Sequence, residues 1–200
     1  MLYPIRQLTN LHNSGFIEAQ FRSPQKNLQQ VKFMFKKLVH LWFFLPAMAC
    51  AEASIPEQIK PPIGNSSVLT VHAKGDQIYQ CSLSAGTYSW QIQAPDATLF
   101  DAQGEVVGKH YSGPIWEYKK GGQVVGRIVN KVDVATGLAI TWLLVEVVSH
   151  KGEGLFSDVT FINRINTHGG LPPSHGCDSN HLGGEKRVAY SADYIFYAKR

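Results

Sequence analysis

His110, Tyr111, Trp116 and Glu117 lie close together in the stretch His110-Tyr111-Ser112-Gly113-Pro114-Ile115-Trp116-Glu117. An imidazole, a phenol, an indole and a carboxylate around a Gly-Pro kink can hold a ring. The aromatics stack it, and His110 and Glu117 hydrogen-bond it. These four are the candidate ligand-binding residues, for a small molecule or a glycan. The plainer alternative is a corner where Trp116 and Tyr111 fill the core and His110 or Glu117 satisfies backbone groups. A catalytic alternative takes Glu117 or Asp101 as acid/base, with His110 assisting, in a small hydrolase or lyase acting on extracellular carbohydrate. Asp101, Glu117, Asp158 and Asp178 are the carboxylates from which such a pair would be drawn, and glycoside hydrolysis needs the two about 5–10 Å apart.

His168, His175, Cys177, Asp178 and His181 form a second chemistry-bearing group. Their spacing, H-x6-H-x-C-D, matches no zinc signature, so no metal is expected. The chain has no G-x-G-x-x-G, no Walker loop, no G-x-S-x-G and no H-E-x-x-H, and no cofactor is expected. A nucleophilic role for Cys177 would need a base held against it, and His175 two residues away on a loop need not converge on it.

Cys177 closes a loop, Gly169 to Asp178, that is rich in glycine and proline and has little of its own to hold it. The other cysteine of the folded part is Cys81, on the inward face of a strand beside Tyr79 and Leu83. A disulfide between Cys81 and Cys177 is therefore expected, the alternative being two unpaired buried thiols. Closing a loop of roughly 95 residues stabilises by about 4–5 kcal/mol on the chain-entropy model.

Met34-Phe35-Lys36-Lys37 precedes an apolar run, Leu38–Ala47, and then the small-residue stretch Met48-Ala49-Cys50-Ala51. This is the pattern of a helical secretory signal peptide over residues 34–53, too short for a membrane span, which needs about 20 apolar residues. Cys50 also fits, less well, a lipoprotein cleavage site. Residues 1–33 are polar, lack a period and contain Pro4, Gly15 and Pro24, as expected of a disordered tail or of sequence upstream of the true start at Met34. Export to the periplasm or the exterior follows, with no transmembrane span in the mature chain. The formal charge of +4 belongs to the leader: residues 1–51 carry six basic side chains against Glu18, which leaves 13 basic and 14 acidic residues beyond. The body has no electrostatic footprint of a nucleic-acid binder.

Residues 54–67 (SIPEQIKPPIGNSS) read as a linker, and residues 68–200 as a single β domain. Val68–Lys74, Ile78–Leu83 and Tyr88–Gln93 alternate apolar and polar with turns at Gly75-Asp76 and Ala85-Gly86, as an antiparallel meander does. Turns are also predicted at Ala94-Pro95-Asp96 and Gly121-Gly122. Leu138–Val148 is nearly continuous in apolar and β-branched residues and predicts a central strand. The whole is all-β, an antiparallel sandwich or barrel of about nine or ten short strands.

Four blocks then stand out: HAKGDQIYQC (72–81), YSWQIQAPDATLFDAQGEVVGKHYSGPIWE (88–117), FINRINTHGGLPPSHGCD (161–178) and VAYSADYIFYAKR (188–200). In this order they resemble an uncharacterised family of exported bacterial and fungal proteins, the domain of unknown function catalogued as three-four-five-five. The resemblance covers about residues 55–200. It implies an exported β domain, supports the pairing of Cys81 with Cys177, and places His110, Tyr111, Gly113, Pro114, Trp116 and Glu117 on the family's H-Y-x-G-P-x-W-E block. It brings no activity. The expectation is an exported binding or envelope-associated domain, with the carbohydrate hydrolase or lyase as its alternative.

Overall fold

The computed structural model describes residues 54–200. The expected signal peptide at 34–53, the stretch 1–33 and Cys50 lie outside the described residues. Eight strands follow one another, each antiparallel to the next: β1 (Asn65–Ser84), β2 (Thr87–Phe100), β3 (Val106–Tyr111), β4 (Ile115–Tyr118), β5 (Gln123–Val132), β6 (Trp142–Lys151), β7 (Val159–Gly169) and β8 (Glu185–Lys199). β8 returns to pair with β1, so the sheet closes into a barrel. Between the two architectures the alternation allows, the barrel is the one formed, and closure removes the edge strands that a sandwich leaves open.

There are fewer strands than the nine or ten expected because two predicted turns are not turns. Gly75-Asp76 lies inside β1, where Gly75 faces Ala97 on one side and Tyr190 on the other. A Cβ on Gly75 would stand 2.1 Å from the Asp96 carbonyl oxygen, so the glycine serves a close approach of two strands. Ala94-Pro95-Asp96 likewise continues β2. Pro95 lies beyond the last β3 partner, Ala97, at the kind of edge position proline tolerates. The Gly-Pro kink in His110–Glu117 is a hairpin tip: the chain folds back at Ser112-Gly113-Pro114 between β3 and β4.

Alternate residues point into the barrel, where Val71, Ala73, Leu99, Val124, Val145, Ile162 and Phe196 form the main core. Phe156, on the short 3-10 turn Leu155–Asp158, closes one end against Phe196 and Tyr118. The other end is closed by Tyr79, Cys81 and Trp90. There the sulfurs of Cys81 and Cys177 are bonded at 2.03 Å. The loop that Cys177 anchors is also tied by the Tyr79 hydroxyl donating to the Gly170 carbonyl (2.6 Å) and the Trp90 indole N–H donating to the His175 carbonyl (2.9 Å).

Residues 54–64, read from the sequence as a linker, lie against the outer wall. Ile59, on a 3-10 turn at Glu57–Ile59, is fully buried with Trp142, Leu144 and Ile165. The Asn163 amide donates to the Ile59 carbonyl at 2.7 Å and fixes the segment there. Regular pairing starts at Asn65, three residues before the predicted first strand. Among the described residues no helix is long and apolar enough to cross a membrane.

Candidate functional site

In the β3–β4 hairpin, His110 is paired with Trp116, Tyr111 with Ile115, and Lys109 with Glu117. Paired residues of an antiparallel ladder share a face, and neighbours along a strand alternate. His110 and Trp116 therefore both point into the barrel, while Tyr111 and Glu117 point out. The Tyr111 hydroxyl donates to the Glu117 carboxylate (2.9 Å) and receives the Gln123 amide N–H (3.1 Å) on the exterior. The four residues expected to share one binding surface thus divide between two faces of the sheet. Asp101, the other carboxylate considered for acid/base work, sits in the β2–β3 turn. Its Oδ1 accepts the backbone N–H groups of Gln103 and Glu105.

The hairpin is shorter than its neighbours, and that makes the site. β3 pairs with β2 only from Ala97 onward, and β4 pairs with β5 only up to Val125, with one further bond from the Gly126 N–H to the Pro114 carbonyl. Past the hairpin tip the wall of the barrel has a notch between β2 and β5. A cavity of about 260 Å³ lies there, walled by Ala94, Pro95, Ile128, Leu143, Val145 and the Gly113-Pro114 tip, with the polar residues His110, Trp116, Tyr194, Gln77, Gln93 and Arg164 also in its lining. Ile92 and Ile128 stand at its rim, each about half exposed (52% and 55%).

Inside, His110 is stacked on Trp116 with ring centroids 4.1 Å apart, and both meet Tyr194 edge-on. Gly126 allows the indole its place: a Cβ there would come 2.9 Å from the Trp116 ring. With 2% of its surface exposed, Trp116 offers no open face on which a sugar could stack. The His110 Nδ1–H donates to the Ile115 carbonyl (2.9 Å), which leaves Nε2 as an acceptor. Burial drives the His110 pKa down to about 3, against the opposing effect of that hydrogen bond and with help from the Arg164 charge. The imidazole is thus neutral at physiological pH. Burial likewise raises the Tyr190 and Tyr194 hydroxyls, which are 3.5 Å apart.

Among the described residues three buried side-chain atoms have no partner: the donors Gln77 Nε2 and Trp116 Nε1 and the acceptor Asn163 Oδ1. Gln77 is only 5% exposed, and an unpaired buried donor costs on the order of 1–3 kcal/mol. Arg164, opposite Leu143 and Tyr194 in the ladders, spends Nε and one Nη on a single acceptor, the Thr141 carbonyl (3.1 and 2.9 Å). A roomier groove of about 740 Å³ exists outside the barrel, bordered by Ile55, Lys60, Thr70, Asn166, Asp193 and Tyr197. Its Asp193 is already satisfied, accepting from His72 Nδ1 (2.9 Å) and Asn166 Nδ2 (2.7 Å). The smaller cavity is lined by two of the residues with unpaired buried atoms, Gln77 and Trp116, and is the candidate site.

A model of the family described as Protein of unknown function (DUF3455) matches residues 62–198. The chain belongs to this family. The matched stretch contains all eight strands save the last residue of β8, and with them the notch, His110, Trp116, Gln77, Arg164 and both bonded cysteines. No curated protein and no solved structure matches the chain. For this DUF3455 domain, sequence reasoning reached two of the site's polar residues, His110 and Trp116, and missed Gln77 and Arg164. Gln77 falls between the predicted turn Gly75-Asp76 and the predicted strand from Ile78, and Arg164 in a strand where Ile162, Asn163 and Ile165 blur the alternation. Among the described residues no group of three or more histidine, cysteine, aspartate or glutamate side chains is arranged to hold a metal ion.

Proposed function

We propose that the protein is an exported barrel that binds a small molecule in the notch between β2 and β5, with His110 and Trp116 in the wall of the site. The observation that carries this reading is the pair of unpaired buried donors, Gln77 Nε2 and Trp116 Nε1, on residues lining one cavity. Buried polar groups in folded proteins are nearly always satisfied, and a ligand acceptor is the partner a binding site supplies. An eight-stranded barrel has an interior wide enough for packed side chains or for one small ligand. Export is supported by the Cys81–Cys177 bond, which persists in oxidising compartments, and by the signal-like pattern at 34–53.

Binding is favoured over hydrolysis by the composition of the wall. Among the described residues lining the cavity there is no aspartate or glutamate, and the only imidazole is held neutral. Glu117 faces the other way, so the acid/base pair of the hydrolase reading does not assemble at this cavity. The test is a ligand-observed NMR screen of small organic molecules against the full chain, repeated with Ile128→Trp, a change at an exposed rim position that narrows the entrance. Hits that disappear in the variant support the reading. Hits that persist unchanged, or none at all, contradict it.

A further inference from the structure

The polar end of the cavity has a chemical bias. Arg164 points into the barrel from β7, since its ladder partners Tyr194 and Leu143 are core residues. Its guanidinium carries five N–H donors; Nε and one Nη go to the Thr141 carbonyl, and the Tyr194 hydroxyl is within its reach. Among the described residues no carboxylate pairs with it: the ion pairs involve Lys60, His72, Arg127, His181 and Arg187. Arg164 is partly buried, and its charge faces the cavity without a carboxylate partner. Its field reaches Tyr79, His110, Tyr190 and Tyr194, the rings gathered around it.

Two further residues lining the cavity carry donors without a partner, beside the His110 Nε2 acceptor. Gln77 Nε2 and Trp116 Nε1 are donors, both buried and both without a partner. The remaining walls, Ala94, Pro95, Ile128, Leu143 and Val145, are apolar. Resting on the small-molecule reading above, we infer that the ligand is a monocarboxylate with a short apolar body, its carboxylate received by Arg164 and Gln77 and its body lying against Ile128, Leu143 and Val145. Arginine offers carboxylates a planar fork, and a buried amide donor fits the remaining oxygen lone pairs. A cavity of about 260 Å³ restricts the body to a single ring or a short alkyl chain.

The experiment is calorimetric titration of the full chain with benzoate, phenylacetate and hexanoate, each beside its neutral primary amide. The expected result is that at least one acid binds and that its amide binds on the order of ten-fold or more weakly, the loss of one charged hydrogen bond. Arg164→Gln removes the charge and should abolish that preference, and Gln77→Leu, which keeps the charge, should weaken the acid several-fold. Circular dichroism verifies that each variant is folded; if Arg164→Gln does not fold, Arg164→Lys serves, retaining charge without the fork and binding the acid more weakly. Acids and amides binding equally overturns the carboxylate inference while leaving a binding barrel. No binding by any of the six compounds overturns the inference, and the NMR screen, run separately, decides whether the broader reading falls with it. A preference for acids that survives unchanged in both variants also overturns it, since the charge would then be read elsewhere.

Discussion

His110 lies flat against Trp116, with ring planes 11° from parallel, in the interior of a barrel that leaves the imidazole 4% exposed. A protonated imidazole could not keep that place cheaply, because its charge would be lost from water with the Arg164 charge also acting on it. The stack is therefore one between two neutral rings.

The first prediction is a pH dependence. The His110 pKa is lowered from 6.5 to about 3 in the folded protein. Between those values the unfolded chain binds the proton and the folded chain does not, so stability rises with pH across that window. The contribution is complete above about pH 6.5 and falls by about 1.4 kcal/mol per pH unit as the solution is acidified toward pH 3. Urea denaturation of wild type and His110→Phe from pH 7 to pH 4 should show this slope in the difference between them. An imidazole NMR signal of His110 that titrates near pH 6 would contradict it.

Substitutions on the outer face of the same hairpin should behave differently. Tyr111→Phe and Glu117→Gln break an exposed hydrogen bond and should each change stability by less than about 0.5 kcal/mol. Neither should alter ligand affinity measured by calorimetry, whereas His110→Ala should weaken it and destabilise the barrel by about 2 kcal/mol or more through a cavity beside Trp116.

Gly75 gives a steric prediction. Gly75→Ala drives a methyl group into the Asp96 carbonyl and against Ala97, so the two strands must part. The cost should be about 3 kcal/mol, at the upper end of what overpacking usually brings. Gly86→Ala, at a turn where nothing lies within 4 Å but φ is +80°, is the control and should cost about 1 kcal/mol. Thermal denaturation of the two variants measures the difference.

Cys177→Ser should lower stability by about 2–5 kcal/mol, measured by denaturant titration. Limited proteolysis should then cut between Gly170 and Gly184 first, because that segment is regular in neither strand nor helix and is tied mainly at Tyr79, Trp90 and Cys81.

These relationships show which parts of the structure the chain announces. Alternation such as Tyr88, Trp90 and Ile92 against Ser89, Gln91 and Gln93 is local, and it marked the first half of β2. The turn at Ala85-Gly86 was equally legible, with both residues at positive φ. Gly75-Asp76 and Ala94-Pro95-Asp96 carry turn-forming residue types yet lie in mid-strand, because what they serve is contact with residues some twenty positions away. The Gly113-Pro114 kink was visible, but only its reading as a hairpin tip sends His110 and Trp116 to one face and Tyr111 and Glu117 to the other. Arg164 and Gln77 were illegible for a stronger reason. A single polar residue on a strand looks outward-facing, and only closure of the barrel, through the pairing of β1 with β8, turns these two inward.

The most direct measurement is a crystal structure of the full chain grown with the tightest-binding acid from the titration. The account predicts electron density for the molecule in the notch between β2 and β5, within hydrogen-bonding distance of Gln77 Nε2 and Arg164. Density confined to the outer groove beside Asp193, with the notch empty and Gln77 Nε2 still unpaired, would contradict it.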